Sequence, residues 1–238
     1  MSVPRAVVCL PTYNERENLE RMVRALADKD VDVLVIDDSS PDGTGEIADR
    51  LAGELPWVEV LHRPRKEGLG RAYVDGFRHV LARGAELVLE MDCDFSHDPA
   101  DVPRLIAAVE EGADLALGSR YVAGGGTANW GLVRRFISRG ASIYTRVLLM
   151  PIHDATGGFK CFRRRVLESI ELETIDAAGY VFQIETTYRT LRKGFHVVEI
   201  PITFVDRTAG RSKMSRAIVL EAVWKVPWLR LTALAGRL

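Results

Sequence analysis

The chain has 238 residues, 47% apolar and 27% charged, the makeup of a folded globular protein rather than of a disordered chain. Its 32 Lys and Arg against 33 Asp and Glu leave a net charge of −1. No whole-chain field draws in nucleic acid, so no nucleic-acid partner is expected.

The first 120 residues alternate regularly. Short β-branched runs at Ala6–Leu10, Val33–Ile36, Val58–Leu61, Leu87–Met91 and Leu115–Leu117 predict buried strands. Helical patterns fall between them at Glu15–Leu26, Gly43–Leu55, Gly70–Leu81 and Asp101–Val109. The second follows the turn signal Ser-Ser-Pro-Asp-Gly, and the last follows the helix start Asp98-Pro99. Strands alternating with helices predict an α/β fold with a mostly parallel sheet flanked by helices.

After Arg120 the pattern changes. Gly124-Gly125-Gly126 predicts a flexible loop, and Leu132–Leu149 a helix. Asp154-Ala-Thr-Gly-Gly-Phe159 leads into a short strand, followed by a helical pattern near Phe182–Leu191. Val197–Ile200 and Ile202–Val205 read as strands split by Pro201, and Arg207–Lys213 as a polar loop. The tail Ala217–Ala235 is apolar but interrupted by Glu221, Lys225, Pro227 and Arg230. With no repeat and no linker, residues 1–238 are expected to form one domain.

The cysteines Cys9, Cys93 and Cys161 are odd in number and far apart, which suggests neither a disulfide framework nor a zinc knuckle. A reducing cytosol is the expected setting. The start MSVPRAVVCLP is not a secretory signal, and no run of about 18 uncharged apolar residues predicts a spanning helix. Charge is nevertheless uneven. Trp130–Met150 holds Arg134, Arg135, Arg139 and Arg146 with no acid, and Arg207–Leu238 holds seven basic residues against Glu221. Such stretches suit either a phosphate-rich or membrane-surface partner or a solvated helix face.

In an open parallel sheet, ligands bind beyond the carboxyl ends of the strands. Four predicted strands end in polar residues: Pro11-Thr12-Tyr13-Asn14-Glu15, Asp37-Asp38-Ser39-Ser40, Asp92-Cys93-Asp94-Phe95-Ser96 and Gly118-Ser119-Arg120. Asp92 and Asp94 offer two hard oxygen donors that suit Mg²⁺ or Mn²⁺ bridging a nucleotide diphosphate. Asp38 is placed to accept from a base edge, and Tyr13 to stack on a base or cover a ribose. A dinucleotide site is the rival class. Gly68-Leu69-Gly70, its only candidate turn, lacks the third glycine and does not follow the first strand. A Walker A loop is absent. Gly68 and Gly70 instead predict a turn into a helix, with Arg65 and Lys66 near phosphate.

The run PTYNE, IDDSSPDGT, MDCDFSHDP and GSRY resembles the GT-A family 2 glycosyltransferases. Further along, NWGLVRRFISRGAS, DATGGFKCFRR, GYVFQIE and VDRTAGRSKM resemble the dolichol-phosphate (polyprenol-phosphate) mannosyltransferases, in order over essentially the whole chain. The resemblance implies a GT-A (Rossmann-like) fold with amphipathic C-terminal helices. It also implies inverting transfer of mannose from GDP-mannose to a polyprenyl phosphate, with Mg²⁺ or Mn²⁺. A polyprenyl-phosphate glucosyltransferase using UDP-glucose, or another nucleotide sugar, is the open alternative. Residues 1–120 would hold the nucleotide sugar, 121–215 the acceptor, and 216–238 would form a membrane-proximal tail.

Carried over by motif, Pro11, Tyr13, Glu15, Ile36 and Asp38 would hold the guanosine. Asp92, Cys93 and Asp94 would lie along the diphosphate, with Asp94, Ser96 and Asp92 at the metal; a bridging water could serve in place of direct coordination by Ser96. Arg120, Arg207 and Lys213 would reach the donor, with Gln183 and Glu185 lining the same region. Arg134, Ser138 and Arg139 would receive the acceptor phosphate. Asp92, Asp94, Arg120 and Arg207 are thereby the expected catalytic set. The basic, tryptophan-bearing tail predicts a protein peripheral at the cytoplasmic face of a membrane. It would either dock through its own helices or be held by a separate membrane-anchoring subunit or a removed domain.

Overall fold

The computed structural model describes residues 5–175, 179–206 and 216–235, without the side chains of residues 180 and 216–223. Strands β1 (Ala6–Thr12), β2 (Asp32–Asp37), β3 (Val58–His62), β4 (Leu87–Glu90) and β5 (Leu115–Ser119) alternate with helices. These are α1 (Leu19–Ala25), α2 (Thr44–Glu54), α3 (Leu69–Ala82) and α4 (Val102–Glu110). Then come β6 (Gly126–Ala128), α5 (Leu132–Leu148), β7 (Lys160–Arg163), α6 (Arg164–Ser169) and α7 (Gly179–Arg192). Strands β8 (Val197–Pro201) and β9 (Thr203–Val205) and helix α8 (Arg216–Leu234) complete the order.

Seven strands form one sheet in the order β3-β2-β1-β4-β7-β5-β8. All neighbours are parallel except β7, which runs antiparallel to both β4 and β5. Strands β6 and β9 pair separately, parallel to each other.

Along β1 the side chains alternate between two buried faces. Ala6, Val8 and Leu10 pack with Leu19, Met22, Leu51 and Leu105 of α1, α2 and α4. Val7 and Cys9 pack on the other side with Tyr73, Phe77, Val166 and Phe182 of α3, α6 and α7. Burial on both faces is why these strands read as continuous apolar runs. A third cluster joins Ile184 and Tyr188 of α7 to Val226, Leu229 and Ala233 of α8. All three cysteines are buried and free.

The glycine run Gly124–Gly126 makes specific backbone contacts. A Cβ on Gly125 would lie 2.5 Å from the Ser119 carbonyl oxygen, and Gly126 N–H donates to the Ile202 carbonyl at 2.9 Å. Glycine is needed there for close backbone approach, and the segment continues into β6. The C-terminal tail is one helix that runs through Pro227.

Candidate active site

The strand order reverses at β1: β2 and β3 lie on one side of it and β4 on the other. The loops leaving β1, β2 and β4 therefore diverge, and a cleft opens beyond their carboxyl ends. Asn14, Ser39 and Phe95, in these three loops, all take left-handed backbone angles (φ 59°, 54° and 59°). For a bulky Phe this is a costly conformation, held only because the surroundings over-determine it.

Pro11, Tyr13, Glu15, Asp38, Asp92, Cys93, Asp94, Arg120, Arg134 and Gln183 line this cleft, as expected. Lys66 joins them with Nζ 3.6 Å from the centre of the Tyr13 ring, a cation–π contact across this part of the cleft. Arg65 instead pairs with Glu67 at the exposed surface. Asp38 is buried and accepts from Arg63 Nη1, while Arg63 Nε donates to Asp75 at 2.7 Å. Burial raises the Asp38 carboxyl, and the Arg63 hydrogen bond and charge pull it back down.

Ile36 is not a cleft residue. Its side chain is fully buried and fills the space over Gly76 of α3, where an added Cβ would meet it at 2.3 Å. The reason is the strand alternation, which turns Ile36 into the sheet face beneath α3.

Asp92 and Asp94 sit just past β4. Asp94 Oδ1 accepts from the Ser96 N–H at 3.0 Å and from the Ser96 hydroxyl. Ser96 is fully buried and absent from the cleft wall, with its hydroxyl directed to Asp94. Its hydroxyl proton is spent on orienting Asp94. His97 enters the cleft instead. Its ring stacks on Phe159 with centroids 4.9 Å apart, and Nδ1 accepts from the Asp92 N–H at 3.3 Å. Among the described residues no cluster of three His, Cys, Asp or Glu forms a closed metal cage. Two carboxylates at an open cleft suit a hard divalent cation that takes its other ligands from phosphate and water.

On the far wall, Arg120 is clamped by Asp154. Its Nε and Nη2 each donate at 2.6 Å to separate carboxylate oxygens, and its backbone N–H adds a third bond at 2.9 Å. Asp154 is fully buried, and its own loop is tied to Glu199 of β8 through the His153 and Asp154 N–H groups at 2.9 and 3.0 Å. The Arg120 guanidinium also donates to Thr156 at 2.8 Å and lies 5.3–5.4 Å from the ring centres of Tyr121, Trp130 and Phe204.

Arg134, at the start of α5, stacks on Trp130 at 4.2 Å and donates to Asp206 at 2.6 Å. Ser138 lies one turn on, on the inner face, and accepts from the Tyr121 hydroxyl at 2.7 Å. It does not line the cleft. Arg139 does not line the cleft either: it is exposed on the outer face of α5 beside Leu132, Val133 and Phe136. A helix advances about 100° per residue, so 134 and 138 share a face while 139 turns away. Glu185 is also not at the cleft; it is buried and doubly paired with Arg189 at 3.0 and 2.6 Å. Arg207 and Lys213 lie outside the described residues.

Residues 7–171 match the family described as Glycosyl transferase family 2. The chain belongs to this family. It is 51% identical to the polyprenol monophosphomannose synthase of Mycolicibacterium smegmatis over 226 residues, covering 93% of this chain and 85% of that one. It is 49% identical to the undecaprenyl-phosphate mannosyltransferase of Micrococcus luteus over 225 residues, covering 93% and 92%. Its fold superposes on that of the Pyrobaculum calidifontis mannosyltransferase PcManGT, solved with GDP-Man and Mn²⁺. The TM-score is 0.60 at 17% identity, over 99% of this chain and 74% of that one. The GT-A architecture expected from the motifs is thus the observed one.

Proposed function

We propose that this glycosyltransferase moves mannose from GDP-mannose to the phosphate of a polyprenol, with inversion at the sugar carbon. The observation that carries the reading is the polarity of the cleft. Carboxylates (Asp92, Asp94) stand at one side and paired arginines (Arg120, Arg134) at the other, within one concave wall. The activities named for the relatives of about 50% identity are of the same kind.

In this reading Pro11, Tyr13, Glu15, Asp38 and Lys66 receive the guanosine end, and residues 1–120 form the donor half. Asp92 and Asp94 are the residues that would hold Mg²⁺ or Mn²⁺, which supplies positive charge to the diphosphate and its leaving oxygen. A phosphate monoester is already anionic at neutral pH, so no general base is required. A phosphate oxygen forms the new bond to the sugar carbon as the bond to GDP breaks, and the electron pair leaves with GDP. What the protein must overcome is repulsion between two anions. Arg134 is placed to take the acceptor phosphate with its planar fork, and Arg120 adds fixed positive potential. Arg207 and Lys213 belong to the same donor set by motif.

Arg134→Ala is expected to raise the KM for polyprenyl phosphate by roughly 10- to 100-fold, the worth of a charge-assisted hydrogen bond, and to leave the KM for GDP-mannose within about twofold. Equal losses for both substrates would move Arg134 out of the acceptor site. The defining assay is transfer of labelled sugar to a short polyprenyl phosphate from GDP-mannose or UDP-glucose, with and without Mg²⁺ or Mn²⁺. Metal-dependent transfer from GDP-mannose alone is the expected result. Transfer only from UDP-glucose would overturn the donor.

The acceptor also dictates where the enzyme works. No helix among the described residues is long and apolar enough to cross a membrane. Helices α5 and α8 pack together and expose Leu132 (81%), Phe136 (83%) and Trp224 (78%), with Trp228 and Leu231 alongside. Arg135, Arg139, Arg146 and Arg230 are exposed around them. We read this basic, apolar face as the surface that meets an anionic membrane at its cytoplasmic side, where a polyprenyl phosphate presents its head group. Flotation with vesicles containing anionic lipid should recover the wild-type chain. The Trp224→Ala/Trp228→Ala pair should bind roughly tenfold more weakly. If wild type stays with the soluble fraction, self-docking is wrong and a partner must carry it.

A further inference from the structure

Across the sheet the cleft residues follow the strand order: Asp38 after β2, Pro11 on β1, Asp92 after β4, Gly158 before β7, then Gly118 and Arg120 at the end of β5. With the nucleoside at β2 and β1 and the diphosphate at β4, the sugar falls over β7 and β5. Beneath that end lies a polar cluster sealed in the core. Lys160 on β7 and Glu90 on β4 are register partners, and both are fully buried.

Lys160 Nζ donates to the Gln183 backbone carbonyl at 2.9 Å, to Gln183 Oε1 at 2.6 Å and to Thr186 Oγ1 at 3.0 Å. An ammonium has three protons, and three acceptors take them all. Glu90 Oε2, 3.9 Å away, feels the charge without receiving a proton from it. Burial pushes Glu90 up and Lys160 down, each opposes the other's shift, and the Gln183 amide also holds Glu90 down.

Lys160 has no acceptor to offer, so it dictates which way the Gln183 amide points. Oε1 must face the ammonium, and Nε2 faces away from it. That Nε2 is buried and makes no hydrogen bond of normal geometry in the protein, although the Glu90 carboxylate, itself unsatisfied, is near enough to feel it. It lies 3.3 Å from where a Cβ on Gly158 would stand, and Gln183 and Gly158 both line the cleft. Gly158, lacking a side chain, puts only backbone between the buried amide and the cleft, so a small shift would bring a ligand oxygen to it.

We propose that Lys160 is a positioning residue that locks the Gln183 amide with Nε2 toward the cleft, where it donates a hydrogen bond to an oxygen of the sugar carried by the donor nucleotide. The inference rests on the donor reading above and deepens it. Because the carbonyl is committed to Lys160, the site offers the sugar a donor only.

The test is titration calorimetry of the full chain with GDP and with GDP-mannose, in the presence of Mg²⁺. Gln183→Met should bind GDP as wild type does and GDP-mannose about tenfold more weakly, the loss of one buried hydrogen bond. Lys160→Met frees the amide to turn and should show the same split. If that variant does not fold, Gln183→Glu serves: it keeps a partner for Lys160, replaces the donor by an acceptor, and should split the two ligands likewise. A merely structural role would weaken both ligands together or neither, and either outcome overturns the inference while the donor reading stands. A wild-type chain that binds GDP but gains nothing from the mannose overturns both.

Discussion

Asp94→Ala is expected to lower kcat for metal-dependent mannosyl transfer on the order of 10³-fold while the fold survives. Asp94 sits just past the end of β4, with Oδ1 accepting from the Ser96 N–H and hydroxyl, and it lines the cleft in which the proposed donor diphosphate would lie. Removing it takes away one of two anionic oxygen donors at a site where no third described His, Cys, Asp or Glu completes a cage. Asp92 alone would then hold the cation against the pull of bulk water. The structural cost is smaller, because Ser96 keeps its backbone place and its hydroxyl can turn to another acceptor. The measurement is initial rate against Mg²⁺ or Mn²⁺ concentration, with thermal unfolding as the control for folding. A rate within about tenfold of wild type at saturating metal removes Asp94 from the metal site.

That site was legible because parallel α/β folds confine function to one edge. Once β-branched runs and intervening helical patterns placed the first five strands, the polar residues following each had to converge at the carboxyl ends. Pro11, Tyr13, Asp38, Asp92 and Arg120 could thus be named from order alone, and the structure brings them together. Residues that the structure keeps off the cleft wall are those whose position in a motif says nothing of the direction of the side chain. Ile36 shares a run with Asp38 but points into the core under strand alternation. Arg139 shares a run with Arg134 but lies on the other side of α5. Ser96 has the spacing of a ligand but is buried against Asp94.

Other features left no local signal. Strand β7 inserts antiparallel between β4 and β5, a choice made by long-range pairing that Lys160–Arg163 does not advertise in its own sequence. Strand β6 hid behind three glycines, of which Gly125 is the one that approaches the end of β5 closely. Asp154 and His97 stood in quoted motifs, yet their roles depend on partners 34 residues away and five residues away, respectively. Lys160, an ordinary lysine in sequence, becomes notable only when its burial is known.

Asp154→Asn is expected to destabilise the protein by about 3–5 kcal/mol, the cost of leaving a buried guanidinium without its counter-charge. The pair is enclosed: side-chain exposure is 5% for Arg120 and 0% for Asp154, and the carboxylate accepts three N–H bonds from that one residue. Asparagine keeps the shape but presents one oxygen and two more protons, so at least one Arg120 N–H loses its acceptor and faces another donor. Neither partner can escape to water without opening the loop that Glu199 pins from β8. For a domain of this size the unfolding midpoint should fall by roughly 10 °C. Activity should fall even at temperatures where the variant is folded, because an Arg120 released from its clamp no longer holds positive potential at a fixed point over the departing diphosphate. Thermal unfolding and kcat measured on the same preparation separate the two effects. A midpoint within about 2 °C of wild type would mean that Arg120 finds another counter-charge, and the bound donor diphosphate would then be the first place to look, by repeating the melt with GDP and Mg²⁺ present.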